Sequence, residues 1–586
     1  MTSTALSVPG GEGIVGHVTL DRSKEPGPPA APVVSSSAAA VFHGVLYNDA
    51  ALRRDLGATA GDSTSALIAA LYVRYGADVI ARLDGEFSLA IIDPAQARVL
   101  IATDTVGKYP VYWRVDRDGL IFGSDLSAIL KATPAASKLN MKAVADYATL
   151  GMVLGDKTLA DGVHQVDPGT VLMYDGRTAE ISSRRYVNID TFFENKVSDK
   201  PAYFEALQAE FKRAVDRAAV GPEPVGLSLS GGLDSRAILS QIGRRSPALR
   251  TYTLGVEGCA DQVIAQRLSK LAGTQHFYFK LDDSYLRDFL PNMAEMVSIT
   301  DGMYLSHGLT EMLAIQFLDQ TGIAVLLRGH GGELAKAHLA WPLHTDARVY
   351  GMRTIDELVP YLAARANYIT PTLALDRLLT PEAARSAGTG AASSFAQVLK
   401  GTNLSPVDSC SYLYVRELNR RSTVPSLELF RTRAEVRMPF LDPSYLRILL
   451  AAPSEWRDHT EIHQRLTAAG FAGLLSVRNS NTGARANAGA REEFVMDKLN
   501  TLLKRMNVSG YRHYHNFDSW MRRLLLESVE AELLAPGARV QAFVTRETLA
   551  ELVRESRDGV ADRSHLLQLL LILELWQREN GIHSVA

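Results

Sequence analysis

The sequence predicts two domains: an α+β first domain of layered strands and helices, then an α/β domain built on a parallel sheet and passing into a helical C-terminal part. Three observations predict this. The 586 residues exceed one ordinary hydrophobic core, and length divided by about 150 sets a prior of two to four domains. Short β-branched and aromatic runs separated by turn residues crowd the stretch from Ala38 to about residue 190. After about residue 200, hydrophobic strands alternate with apolar-faced helices, the pattern of a parallel sheet with helical crossovers.

In chain order, residues 1–37 hold GGEG, PGPPAAP and SSS, a composition that buries little, and they predict a flexible leader. Domain one is expected over 38–190. AAAVFHGVLYN, EFSLAIID, RVLIATD, VYWRV and LIFGS read as its strands, with Thr64 to Ile80 and Met141 to Leu150 as helices packed on them. Apolar periodicity fades over 187–201, which marks a linker. Domain two is expected over 200–586. AYFEALQAEFKRAVDRAAVG is an amphipathic helix ended by Gly221-Pro222; then come a strand at Val225 to Leu229, a glycine turn and a helix from Arg236. The strand, loop and helix pattern repeats in RTYTLGV with QVIAQRLSKLAG, and in IAVLLRGHGG with ELAKAHLA. Beyond about residue 350 the chain reads as helical. HLLQLLLILELW, from His565 to Trp576, is interrupted by Gln568 and Glu574, is too short to span a bilayer, and predicts a buried helix.

Composition excludes several functions. Lys plus Arg number 62 and Asp plus Glu 65, a net charge of −3, so no field of one sign is available for nucleic acid or an anionic membrane. Two cysteines, Cys259 and Cys410, make neither a disulfide framework nor a four-cysteine zinc site, and they suit a cytoplasmic setting. The 14 histidines show no HxxH or HExxH spacing, which leaves zinc without support.

Chemistry concentrates in Ser228-Leu-Ser-Gly-Gly-Leu-Asp-Ser235, between a strand and a helix. Gly231 and Gly232 let backbone amides turn inward, and with the helix N-terminus and the hydroxyls of Ser230 and Ser235 they form a cradle for phosphate oxygens. A carboxylate there, Asp234, suits Mg²⁺ beside a polyphosphate.

SGGLDS resembles the pyrophosphate loop of ATP-pyrophosphatases. VLLRGHGGEL at 325–334 is similar to the VLLSGEGADEL of asparagine synthetases, EVRMPFLD at 435–442 to their EVRxPFLD, and ILELW at 572–576 to their closing helix. FHGVLYN at 42–48, LDGEFSLAIID at 83–93, DTVGKYPVYW and FGSDLSAIL resemble the glutaminase half of the same family. The resemblance covers about residues 38–580. It implies an N-terminal nucleophile hydrolase-like four-layer αββα sandwich followed by an ATP-pyrophosphatase domain, using ATP and Mg²⁺. It further implies Gly329 in the nucleotide site, Asp234 and Glu333 as Mg²⁺ ligands from two loops, Leu254, Gly255 and Val256 around adenine, and His330 as a catalytic position that varies with the nucleophile.

Departures narrow the function. Glutamine-dependent members carry a nucleophilic Cys after the initiator Met, where this chain has Thr2, and the Asn and Glu of their NGE are His43 and Val45. These changes predict no glutaminase activity, leaving the first domain a structural relic or docking surface. The family's RxK lysine is missing from Arg478-Asn479-Ser480, and Arg485 is the candidate replacement cation. The expected function is AMP-forming amide synthesis from a carboxylate and an amine or ammonia, in specialised metabolism. The alternatives are lasso-peptide cyclisation of a precursor peptide, ammonia-dependent asparagine synthesis, and a non-catalytic nucleotide-binding scaffold. Family members occur as monomers and dimers, so oligomeric state stays open.

Overall fold

The computed structural model describes residues 2–8, 11–17, 33–34, 38–57, 63–117, 119–133, 137–194, 196–244, 248–306 and 309–585. It divides into two compact units, Met1–Ser137 with Gly155–Ile189, and Lys138–Leu154 with Asp190–Ala586.

The first unit is built on a six-stranded antiparallel sheet ordered Glu180–Arg185, Thr170–Asp175, Arg98–Thr103, Gly85–Asp93, Ala39–Leu46, Val33–Val34. Every residue of Gly85–Asp93 is buried, because both sheet faces are covered. On one face Phe87, Leu89 and Ile91 meet Leu67, Ile68 and Leu71 of helix Thr64–Tyr75. On the other, Ala90, Ile101 and Leu172 meet Val111 and, from a three-stranded sheet of Gly119–Gly123, Tyr112–Asp116 and His164–Gln165, Trp113, Leu120 and Phe122. Helix Leu126–Ala132 packs on that second sheet, completing the α, β, β, α layers. The segment whose composition predicts a leader carries strands Thr2–Val8 and Gly11–His17, paired antiparallel, and Val33–Val34; the rest of 1–37 lies outside the described residues.

Two assignments change. Helix Met141–Leu150, expected on the first domain's strands, belongs to the second unit. All its residues except Lys142 are buried, so apolar spacing could not say which neighbours it has. The Asp146 carboxylate accepts hydrogen bonds from Ser394 Oγ (2.7 Å) and Leu154 N (3.2 Å). Asp146→Ala should therefore cost about 2–3 kcal/mol, since buried donors lose their acceptor; a denaturation midpoint no lower than wild type would contradict this. The expected linker also changes: Phe192 and Phe193 are buried in the second unit, and Val197 N donates to Ala451 O (3.1 Å).

The second unit holds a five-stranded parallel sheet ordered Gln275–Lys280, Arg250–Gly255, Val225–Ser228, Val325–Leu327, Glu435–Arg437. Helices Lys200–Ala218 and Ala260–Ala272 are amphipathic, capped by Asp199 and Cys259, whereas Asp234–Ile242 has no exposed residue. ELAKAHLA forms two 3₁₀ turns, Gly332–Ala335 and Ala337–Leu339, in place of the expected crossover helix. Glu435–Arg437 adds an edge strand inside the segment that reads as wholly helical. The helix over HLLQLLLILELW spans Ser564–Glu579 and is buried, with Glu574 accepting from Val540 N (2.9 Å). No helix among the described residues is long and apolar enough to cross a membrane.

Candidate active site

Strand order fixes where a ligand can sit. Val225–Ser228 is first in sequence and central in space, with later strands added to either side. The crevice between its carboxyl end and that of Val325–Leu327 is thus the topological switch point, where open α/β sheets bind ligands. The two loops leaving these strands are Leu229–Leu233 and Arg328–Gly332, the two glycine-rich stretches singled out from sequence.

The first loop closes on itself. Ser230 N donates to Ser235 Oγ and Gly232 N to Ser230 Oγ, both at 3.2 Å, and the two hydroxyls lie 3.2 Å apart. Gly231 N donates to Asp261 Oδ1 (2.7 Å), so this amide already faces an anionic oxygen. Asp234 is the first residue of the following helix. The second loop approaches it closely: a Cβ on Gly332 would lie 2.2 Å from Asp234 Oδ1, and one on Gly329 would lie 3.0 Å from Asp234 Cβ. Only glycine permits that contact.

Around Asp234 the structure gathers residues absent from the sequence prediction. Lys336 Nζ donates to both carboxylate oxygens, at 2.7 and 2.6 Å, and His463 Nε2 lies 2.7 Å from Oδ1. Burial alone would raise the Asp234 pKa, but the Lys336 ammonium and His463 hold it well below the ordinary carboxylate range. Glu333 moves the opposite way, raised by burial and by the Asp234 charge, and accepts from Tyr414 OH (2.8 Å). The expected Mg²⁺ pair is therefore in one electrostatic cluster, but it does not offer a divalent ion two free carboxylates, because the Lys336 ammonium already bridges the two oxygens of Asp234. Among the described residues no group of three or more His, Cys, Asp or Glu is arranged to hold a metal.

His330 lies beside this cluster. Burial and the nearby Arg328 push its pKa down to about 3, which keeps the imidazole neutral, and its buried Nδ1 has no hydrogen-bond partner. His276 is pushed down to about 4 by burial. An unfolded chain takes up protons on these rings below about 6.5 while the folded chain does not, so stability falls as pH drops from 6.5 towards 4. The loss should reach on the order of 1–2 kcal/mol per histidine at pH 5; equal thermal midpoints at pH 7 and pH 5 would refute it.

Arg485, the candidate replacement cation, pairs with Glu492, Nε to Oε1 at 3.0 Å and Nη2 to Oε2 at 2.7 Å, with its side chain 59% exposed. The acid in the first turn of helix Ala490–Arg505 captures it. Ser480, at the place of the family lysine, packs against the loop: its N donates to Gly231 O (3.0 Å). The buried Arg236 holds that contact, donating to Val477 O (2.6 Å), Arg478 O (2.8 Å), Leu474 O and Gly231 O (both 3.3 Å). Of the expected adenine residues, Val256 N is engaged by Tyr514 O (2.9 Å), and Gly255 O accepts from Tyr278 OH (2.7 Å) and Leu281 N (2.9 Å). Leu254 pairs with Phe279 in the sheet.

Comparison with known proteins agrees with this arrangement. Residues 15–187 match the family model of the glutamine amidotransferase domain, and residues 206–476 that of asparagine synthase. The chain is 24% identical over 313 residues to asparagine synthetase [glutamine-hydrolyzing] 2 of Oryza sativa subsp. japonica, covering 51% of this chain and 47% of that one. It is 24% identical over 354 residues to asparagine synthetase [glutamine-hydrolyzing] 1 of Arabidopsis thaliana, covering 57% and 55%. The chain spans about half the length of the curated relatives it matches. Among solved structures, glutamine phosphoribosylpyrophosphate amidotransferase from B. subtilis complexed with ADP and GMP aligns at a TM-score of 0.19 and 15% identity, over 33% of this chain and 42% of that chain.

Proposed function

Since the chain belongs to the asparagine synthetase superfamily, we propose that it is a carbon–nitrogen ligase that uses ATP to form an amide, without glutaminase activity, in specialised metabolism. The observation that carries this reading is the SGGLDS loop at the sheet's switch point, facing the second glycine loop across Asp234. A substrate carboxylate oxygen attacks the α-phosphorus of ATP, and the bond to the β-phosphate oxygen breaks, releasing pyrophosphate. The nitrogen of an amine or ammonia then attacks the acyl carbon, AMP leaves with the electrons of the acyl–oxygen bond, and the nitrogen gives its proton to water. Loop amides and the loop-side hydroxyls of Ser230 and Ser235 bind phosphate oxygens. The unpartnered Nδ1 of the neutral His330 is the acceptor that orients the incoming N–H. Mg²⁺ enters as the counter-ion that the nucleotide itself carries, and no step runs through a metal on Asp234.

Absence of glutaminase is supported by His43 and Val45, which stand where the resemblance puts the Asn and Glu that hold glutamine. The partners in this reading are a small carboxylate and an amine, in the cytoplasm. The test is carboxylate-dependent exchange of pyrophosphate into ATP, with AMP formed when an amine is added and no glutamate released from glutamine. Small carboxylates and precursor peptides are assayed in parallel. ATP binding without exchange for any of them would replace the ligase by a scaffold.

A further inference from the structure

Against Asp234, one of the two carboxylates to which the resemblance assigns a divalent ion, the chain carries a cation of its own. Lys336 stands three residues after Glu333, and its side chain is 5% exposed. Its ammonium bridges both oxygens of Asp234 at 2.6 and 2.7 Å, and the Glu333 charge acts on the same ammonium. His463 fills a further position on Oδ1, and the backbone at Gly332 walls the carboxylate so closely that an added Cβ would fall 2.2 Å away. Mg²⁺ needs about six oxygens at about 2.0–2.1 Å in near-octahedral array and gives up its waters reluctantly. A carboxylate with three such contacts keeps one lone pair, on Oδ2, and is pressed against backbone at Oδ1, which is a poor start on that array, and an ion there would face a positive charge at close range.

A second departure fits the first. At Ser480 the chain lacks the lysine that the resemblance places beside the phosphate loop, and the two nearby arginines point elsewhere: Arg478 Nη2 donates to Gly510 O (2.5 Å), and Arg485 pairs with Glu492.

We propose that Lys336 is the resident cation of this phosphate loop, occupying on Asp234 the place of a divalent ion, and that Asp234 is a positioning residue for Lys336 and not a metal ligand. The ammonium's role toward phosphate rests on the nucleotide reading above; its exclusion of a metal from the pair does not.

Mn²⁺, used as a paramagnetic probe on the full nucleotide-free chain, tests the assignment. The wild type should show no bound Mn²⁺ that Asp234→Asn removes, at concentrations up to about 1 mM, the weak end of carboxylate sites. Lys336→Met should gain one bound Mn²⁺ per chain and a thermal midpoint that rises with Mn²⁺, both lost on adding Asp234→Asn. Lys336→Arg should behave as wild type. Wild-type binding of one Mn²⁺ that Asp234→Asn abolishes would overturn the proposal, and that comparison stands even if Lys336→Met fails to fold. Titration with ATP in EDTA separates the two readings: failure of ATP to bind there and with Mg²⁺ removes the nucleotide site, while the Mn²⁺ result still judges the cation.

Discussion

Replacing Arg236 by methionine is expected to destabilise the second unit by about 3–5 kcal/mol, the cost of breaking a buried charged network, and to loosen the phosphate loop. The side chain is wholly buried, and burial lowers its pKa to about 10, so the guanidinium stays charged at neutral pH. Its two terminal nitrogens donate to four carbonyl oxygens, three from residues 474–478 and one from Gly231. Methionine fills similar volume but withdraws the charged donor from all four oxygens: Gly231 O keeps Ser480 N, Val477 O keeps Ala486 N and Leu474 O keeps Val477 N, while Arg478 O loses the 2.8 Å bond from the guanidinium, and the contact of Ser480 N with Gly231 O loses the clasp beside it. Lysine should rescue little, because one ammonium with three donors cannot reproduce a planar fork that serves two chain segments at once. The measurement is urea denaturation of wild type, Arg236→Met and Arg236→Lys, with nucleotide binding followed in parallel. A lysine variant as stable as wild type would show that charge, and not the fork, is what the site requires.

The parts of this site legible in the sequence are those written as continuous strings. SGGLDS announces itself because one short loop carries glycines, hydroxyls and a carboxylate together, and the flanking apolar run marks its strand. Asp234's partners are not local: Lys336 is 102 residues away in sequence and His463 is 229, so only the sheet's topology brings them to one point. Position alone makes Arg485 a candidate cation, and the acid it pairs with, Glu492, stands seven residues on in the same stretch. The same limit applies to the fold. Layering in the first unit follows from strand and helix periods, whereas helix Met141–Leu150 is buried almost all round and its pattern carries no direction. Strand Glu435–Arg437, at three residues, is too short for a period-two signal and exists because Val325–Leu327 offers it a free edge.

Gly332→Ala should abolish most AMP formation, by about 10²-fold or more, while leaving the chain folded. The added methyl would lie 2.2 Å from Asp234 Oδ1 and 2.6 Å from its Cγ, distances no Cβ can hold. Asp234 is not free to yield, because Lys336 grips both its oxygens and His463 one of them, so the strain must move either the carboxylate with its ammonium or the second glycine loop. Either displacement misaligns the groups that face phosphate. Gly332 does not have a left-handed backbone, so alanine is acceptable to the turn itself and the fault stays at the contact. Gly351→Ala is the matching control, since a Cβ there meets nothing within 4 Å and no positive φ is involved. The decisive reading is AMP formation beside thermal stability for both variants. A Gly332→Ala protein that keeps wild-type turnover would mean that the close approach of the two loops at Asp234 plays no part in the chemistry.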